Sequence, residues 1–429
     1  MRALRASASV LLAIGLVAAS ALPAAAAPGD LDPTFDHDGK VRTGHFGGGS
    51  DVAIQSDGKI LAVGSRGNDF AVVRYNRDGT LDQTFGSGGV AVFAPGVHRE
   101  SFASGVALRN GKIVLVGSSF ANRGRGREAM AVARLNSDGT LDTTFGPGGE
   151  GFLIRIGTGT AGADVAIQSN GRIVALGSAP GGFVVVRLTA AGVLDPSFSG
   201  NGWTTTAFPQ GIDASAVAVD PVTQRIVAGG LEVDNGGFSH NFVLVRYTTT
   251  GHLDTSFNST GKMVRATASA GGLGDLAVLG DSSIVAVGQT LRGGFGNVML
   301  IEKYRRSGAF ATGFGGGDGV VTVGFGSHTE PSNTGASGLA IQGDGKIVVA
   351  GTSTGADERF ALVRLTAAGA LDHTFGTNGA VLTTFSRDAH GNAVAINRGT
   401  GKIVVVGDEF TPPPTIGVDG LLAARYLGS

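Results

Sequence analysis

One five-residue phrase recurs seven times along this chain, and a recurrence of that kind restricts the fold more tightly than any composition does. The phrase is Leu-Asp-x-Thr/Ser-Phe. It starts at Leu31, Leu81, Leu141, Leu194, Leu253 and Leu371, with a degenerate copy (FATGF) at Phe310. The steps are 50, 60, 53, 59, 57 and 61 residues. Two further markers keep the same order. A polar turn runs into Ile60, Ile113, Ile173, Ile226, Ile284, Ile347 and Ile403, and an apolar run ends in Arg74, Arg134, Arg187, Arg246, Lys303, Arg364 and Arg425.

Each repeat reads as four short strands. In the first, DVAIQ (residues 51–55) is strand a, and the Asp-Gly turn after it is a strong hairpin signal. KILAVG (59–64), FAVVRY (70–75) and residues 90–93 follow as strands b, c and d. Val, Ile, Phe and Tyr enrichment supports strands, and no segment carries a helical period. The pattern predicts an all-β, seven-bladed β-propeller of four-stranded blades. A β-solenoid is the rival repeat fold, but its rungs are shorter and nothing fixes them at seven. The last repeat has three strands before Ser429, whereas the start of the chain carries a spare connector, LDPTF at 31–35, and a spare strand at 39–46. The ring is therefore expected to close by the N-terminal strand joining the last blade, which removes exposed sheet edges.

The pattern VAIQ-x-DGKI-x-x-x-G, followed by F-A-x-x-R-Y-N-x-DG-x-LD-x-T-F-G, resembles the delta-60 repeat family of bacterial exported proteins, and more loosely the inner hairpin of NHL-type β-propellers. The resemblance covers residues 31–429. It implies a propeller and supplies no catalytic residues. The fifth repeat departs most, with Phe310-Ala311 in place of Leu-Asp and Ser282-Ser283 in place of Gly-Lys.

The first residues read separately. A basic start (MRALR), an apolar run at 7–22 and Ala24-Ala25-Ala26 form a secretory signal peptide over 1–26, with cleavage expected after Ala26 and a single propeller domain over 27–429. The protein is then secreted or extracytoplasmic. With no cysteine in the chain, disulfides, Cys-ligated metals and thiol chemistry are excluded. A net charge of −1 with scattered Lys and Arg gives no footprint for nucleic acid. No second apolar run reaches membrane-helix length. A monomer without cofactor or metal is expected.

Motifs that resemble catalytic signatures are cheap in a chain this rich in Gly, Ser and Thr. GTSTG at 351–355 lacks the helix a nucleophile elbow needs. GTGTAG at 157–162 has no helix dipole behind it to hold a phosphate. Asp36-His37-Asp38-Gly39 lacks the alternating oxygen ligands of a calcium loop. No catalytic residue is assigned.

Three groups of residues remain as candidates. The strand-c Arg stands eight residues before the connector Asp, which predicts structural ion pairs: Arg74 with Asp82, Arg134 with Asp142, Arg187 with Asp195, Arg246 with Asp254, Arg364 with Asp372, and Arg425 with Asp32 across the closure. Only repeat five, with Lys303 and Ala311, has lost both partners. A second group, Asp51, Asp164 and Asp275, occupies one position before strand a in blades one, three and five, where the other blades have Gly105, Ala216, Gly338 and Ala393. They are either caps of their own turns or a partial acidic ring at the channel mouth. The third group lies in the variable d-to-a and b-to-c loops, which share one face of the ring: His98, Arg99, Glu100, Arg123, Arg125, Arg127, Glu232, Asp234, Asp357, Glu358, Arg359, Asp408 and Glu409. Loop variation on a rigid scaffold is where binding specificity sits. Mixed sign there points to a protein or neutral glycan partner, with the main pocket expected on this face near the central channel. The reading is a binding or scaffold module. The alternatives are a propeller hydrolase or lactonase with its site at the channel mouth, and an envelope or matrix structural protein.

Overall fold

The computed structural model describes residues 10–11, 26–95, 100–120, 128–154, 159–208, 211–233, 240–266, 271–293, 296–326, 332–355, 357–411 and 417–428. Seven antiparallel sheets follow one another, each with its strands in the order a, b, c, d. In blade one these are Gly49–Ile54, Ile60–Arg66, Asp69–Tyr75 and Val90–Phe93. Blade five comprises Leu273–Val278, Ile284–Arg292, Gly296–Tyr304 and Val320–Gly324. Val10–Leu11 pairs in parallel with Val323 and Gly324 at that blade's outer edge.

Strand a of each blade packs on strand a of the next, and Ala389–Ile396 of blade seven packs on Gly49–Ile54 of blade one. The ring is thus closed, with strands a around its axis. Blade seven takes its strands b and c from Ile403–Thr411 and Gly417–Tyr426 and its strand d from Lys40–Gly44, with Lys40 opposite Ala424 and Gly44 opposite Gly420. The protein is a seven-bladed β-propeller closed by its N-terminal strand.

The apolar core divides by junction. Phe35, Val41, Ala62, Val73 and Val406 fill the space between blades seven and one, and a comparable cluster fills each of the other six junctions. Blades therefore stack face to face, and side chains from both neighbours hold each seam.

The seams also follow a local code. The residue ending strand c faces one residue on strand d of the preceding blade. In three of the four blades whose strand c ends in Tyr, that residue is Thr, and the two hydroxyls share a hydrogen bond: Tyr75 with Thr43 at 2.5 Å, Tyr247 with Thr206 at 2.6 Å, and Tyr426 with Thr383 at 2.7 Å. Where it ends in Leu135 or Leu365, the cluster partners are Phe93 and Val323. At the seam of blades four and five the Thr position holds Arg265. Glu302, wholly buried, pairs with Arg265, and the Tyr304 hydroxyl donates to the same carboxylate.

Strand a carries a β-bulge at the same place in all seven blades, for example between Gly49 and Asp51 and between Gly391 and Ala393. A bulge re-aims the next side chain and sharpens the local twist. It also explains the glycine ending KIxxxG. A Cβ on Gly64, Gly117, Gly177, Gly230, Gly288, Gly351 or Gly407 would strike the strand-a carbonyl beside it.

Candidate functional site

The face carrying the a-to-b and c-to-d turns is built of repeated stations. In blade one the Arg74 guanidinium donates from Nε to Asp82 Oδ2 at 2.7 Å, from Nη2 to Thr84, and from Nη1 to the Ser137 carbonyl of blade two. It lies over the Phe85 ring, 4.4 Å from the centroid. Lys59 reaches Asp82 Oδ2 at 2.7 Å, and the Thr84 amide and hydroxyl bond Oδ1. Nε-to-carboxylate separations of 2.7–2.8 Å recur for Arg134 with Asp142, Arg187 with Asp195, Arg246 with Asp254, Arg364 with Asp372, and Arg425 with Asp32. Each Arg also donates to a carbonyl of the following blade; Arg425 donates to that of Arg77, across the closure. Burial raises these carboxyls, but the cations and hydroxyls outweigh it. Asp32 is pulled down to about 2 by Lys402, Thr34 and Arg425, and Asp82, Asp142 and Asp372 are lowered by the same kinds of partner.

Around the axis stand Asp51, Asp164 and Asp275. One oxygen of each accepts from the amide of the next residue (Val52, Val165, Leu276) at 2.6–2.7 Å. The other accepts from the strand-a amide of the following blade (Val106, Val217, Leu339) at 2.7 Å. Each Asp therefore clamps an odd blade to the even blade after it, which is more than a turn cap. Burial, first, and then the Asp164 charge raise Asp51 well above the carboxylate range and Asp275 to about 7; burial alone takes Asp164 to about 6. At blade seven the position is Ala393. There the bulge residue Asn392 reaches blade one, donating to Gly49 O at 3.0 Å and to Asp408 Oδ1 at 2.6 Å.

The loop-face candidates fall into three fates. His98, Arg99, Arg123, Arg125, Arg127 and Asp234 lie outside the described residues. Glu100 opens strand a of blade two, and Glu232 is buried, accepting from Asn241 Nδ2 at 3.0 Å within its own hairpin. Asp357, Glu358, Arg359, Asp408 and Glu409 come together over blades six and seven. His390 Nε2 pairs with the Glu358 carboxylate of blade six, and its ring lies 4.4 Å from that of Phe410. Across the blade-seven hairpin, His390 stands opposite Asp408. Burial pushes Asp408 up to about 6, while His390 charge and the Asn392 bond pull it back. Glu409 is buried beneath Arg42 of the N-terminal strand and accepts from Ser386 at 3.2 Å. The exposed sides of this patch are Arg42 (46%), Glu358 (36%) and His390 (32%). Sequence reading missed His390, Asn392 and Arg42. Arg42 and Asn392 have partners hundreds of residues away across the closure, and His390 has its partner Glu358 on the preceding blade.

Among the described residues no group of three or more His, Asp or Glu is placed to hold a metal. Residues 36–39 form a turn in which Asp38 accepts from the Lys40 amide at 2.9 Å. Ser353 is buried in strand b of blade six.

One expectation is overturned. Among the described residues the best-formed cavity, about 490 Å³, opens on the station face between blades seven and one, lined by Thr34, Arg77, Asp78, Asn397, Lys402 and Arg425 among others. The blade-seven turn at 397–402 is one residue longer than the blade-one turn at 55–59, and both border the cavity. On the opposite face a cavity of about 350 Å³ lies beside Glu358, Arg359, Phe385 and Asp388.

A family model described as "Domain of unknown function (DUF5122) beta-propeller" matches residues 55–85, 108–145, 168–198, 225–257 and 342–375, so the chain carries β-propeller repeats of that kind in blades one, two, three, four and six. No curated protein matches the chain. Similar solved structures include virginiamycin B lyase from Staphylococcus aureus, 11% identical with a TM-score of 0.48, covering 90% of this chain and 99% of that one. An ulvan lyase bound to -[GlcA(1-4)Rha3S]- is likewise 11% identical at TM-score 0.48, covering 91% and 96%. Likeness at that level carries no argument about activity.

Proposed function

We propose that this chain is an exported binding propeller, built of delta-60-type repeats, whose partner is a protein or neutral glycan docking on the loop face over blades six, seven and one. One observation carries the reading: at the closure seam, groups of opposite sign from four stretches of chain (Arg42, Glu358, His390, and Asp408 with Glu409) converge on one patch that is part exposed and part buried. Polar groups held on rigid strands favour selective recognition, and their mixed sign disfavours an anionic polymer. Export rests on the leader-like residues 1–26. The Ala27 nitrogen lies 2.6 Å from Asp30 Oδ2, so cleavage after Ala26 would leave a new ammonium beside a carboxylate. Intact mass of the protein recovered outside the cell tests this, and a mass retaining residues 1–26 removes it.

Binding is tested on an array of neutral oligosaccharides and folded proteins with the native chain and with Glu358→Ala/His390→Ala. The expected result is a selective signal lost in the double variant at unchanged melting temperature. A signal that survives the substitutions sinks the assignment. The hydrolase reading moves to the same patch, because His390 lies between two carboxylates and Asp408 is raised into the working range of a general acid. Turnover of ester and lactone substrates abolished by His390→Gln would favour it; turnover unaffected by that change would exclude it.

A further inference from the structure

We propose that blade five holds a binding site for a small carboxylate anion, in the place where six other blades hold the carboxylate of their own Asp. The inference is independent of the loop-face reading, since it concerns the opposite face of the ring.

The six complete stations define what that place recognises. A carboxylate there accepts a strand-c Arg and an a-to-b turn cation on one oxygen. Its other oxygen accepts the amide and hydroxyl of the Thr or Ser two residues on, as in the Thr34, Thr84 and Thr374 amide bonds of 3.0–3.1 Å. Blade five has changed four of these parts at once. Ala311 stands for Asp, Gly313 for Thr or Ser, Ser283 for the turn cation, and Lys303 for Arg. The backbone has not moved to fill the gap. The Ala311 amide donates to the Lys303 carbonyl at 2.8 Å, as the Asp82 amide donates to Arg74 at 2.9 Å, and the Phe314 amide still donates to Ala311 at 2.9 Å.

The consequence is a vacated cradle that keeps one strand-c cation, Lys303, and one backbone donor, the Gly313 amide. A cavity of about 350 Å³ opens here, bounded by Lys303, Arg305, Arg306, Ala311, Gly313 and Phe314 among others. Lys303 makes no ion pair within 4 Å among the described residues, and its ammonium lies over the Phe314 ring, 5.8 Å from the centroid. The Gly313 amide, whose counterparts bond the missing carboxylate, has no acceptor among the described residues. Three cations against Asp281 leave the rim positive. Asp281 itself is engaged, accepting from the Ser283 amide and hydroxyl at 2.9 and 2.5 Å. An anion with a flat two-oxygen head would take one oxygen to Lys303 and the other to the Gly313 amide, with its apolar tail toward solvent. The sister stations argue for carboxylate over tetrahedral anions.

The test is calorimetric titration of the full chain with acetate, then propionate and lactate, at fixed ionic strength balanced with chloride. Inorganic phosphate is a separate arm, and the variants are Lys303→Met and Ala311→Asp. Expected are saturable carboxylate binding by the native chain, at least tenfold weaker binding by Lys303→Met, and none by Ala311→Asp, whose own carboxylate fills the cradle and raises the melting temperature without ligand. Phosphate should bind more weakly than acetate. The proposal falls if acetate gives no more heat than chloride, if either variant binds as the native chain does, or if phosphate binds more tightly.

Discussion

Two sets of aspartates, one buried and one part-buried, share this ring and are driven in opposite directions. The connector aspartates of the station face sit between two cations and an amide–hydroxyl pair, and their acidity is strengthened. Asp51, Asp164 and Asp275 at the axis accept only two amides each, and Asp51 and Asp275 also feel the Asp164 charge; all three are weakened. Burial penalises a carboxylate in both places. What differs is whether full positive charges offset the penalty. The outer stations thus fix blades by charge pairing, and the inner clamps fix them by hydrogen bonds that tolerate the neutral acid only in part.

The largest test removes a station where the chain ends meet. Asp32→Ala strands Arg425, whose side chain is 7% exposed, and should cost about 3–5 kcal/mol in denaturant unfolding. Asp82→Ala, the same station within consecutive blades, is the reference. A cost under about 1 kcal/mol for Asp32→Ala would mean that the closure is held by strand pairing alone.

Next comes a case lying between the two sets. Glu302 is a buried carboxylate facing the single cation Arg265. Glu302→Val alone leaves Arg265 and the Tyr304 hydroxyl without their acceptor and should destabilise by about 1–3 kcal/mol. Adding Arg265→Thr restores the Tyr–Thr seam of three other junctions, and the double variant should equal the native chain or exceed it by about 1–4 kcal/mol. If both variants are equally unstable, the seam code is not what holds that junction.

The pH dependence separates the sets directly. A carboxyl whose folded pKa lies above its unfolded value of 3.8 keeps its proton longer when folded. Its contribution is therefore fully present below about 4 and is lost as pH rises through about 6 for Asp164 and about 7 for Asp275. The lowered connector acids do the reverse, contributing fully above about 4 and losing it as pH falls toward 2. Stability should therefore peak near pH 4 and decline from there to about pH 7. Asp164→Asn/Asp275→Asn should make that decline shallower, with Asp51 and Asp408 left to titrate, while leaving the acid limb. A double variant retaining the native slope between about pH 4 and 7 would place the titration elsewhere.

How much of this was legible in the sequence follows from where partners sit. Seven blades and the closure were readable because each marker lies inside one repeat and the spare strand at the start matches a deficit at the end. Arg74 and Asp82 were readable as a pair because one turn separates them. The second half of each station was not, because the Ser137 carbonyl that Arg74 reaches belongs to the next blade and depends on the angle between blades. The same distance hid the Tyr–Thr seams, although Leu135 and Leu365, where other blades have Tyr, were a trace of them. The strand-a bulge leaves only a small residue before Asp51 and Asp164, too weak to read as backbone geometry. The cavity was expected on the loop face because variety was taken as a sign of shape; it opened where one turn gained a residue at the closure.

The smallest expected effect lies inside a single station and asks whether its two cations are equivalent. Inner arginines are 1–13% exposed, whereas the turn cations on the same carboxylates are 27–40% exposed. Lys112 sits 2.9 Å from Asp142 with 39% of its side chain exposed, so water and salt screen most of its attraction. Lys112→Met should cost about 0–1 kcal/mol, shrinking further in high salt. Arg134→Met removes the bond to Asp142, the contact with the Phe145 ring and the link to the Ala190 carbonyl of blade three, and should cost about 3–5 kcal/mol at any salt. In the double variant Lys112 can no longer compensate for the lost Arg, so the costs should add to more than their sum. Equal single costs would show instead that Asp142 is held by a symmetric pair, and that the guanidinium's reach into the next blade contributes nothing to holding the ring.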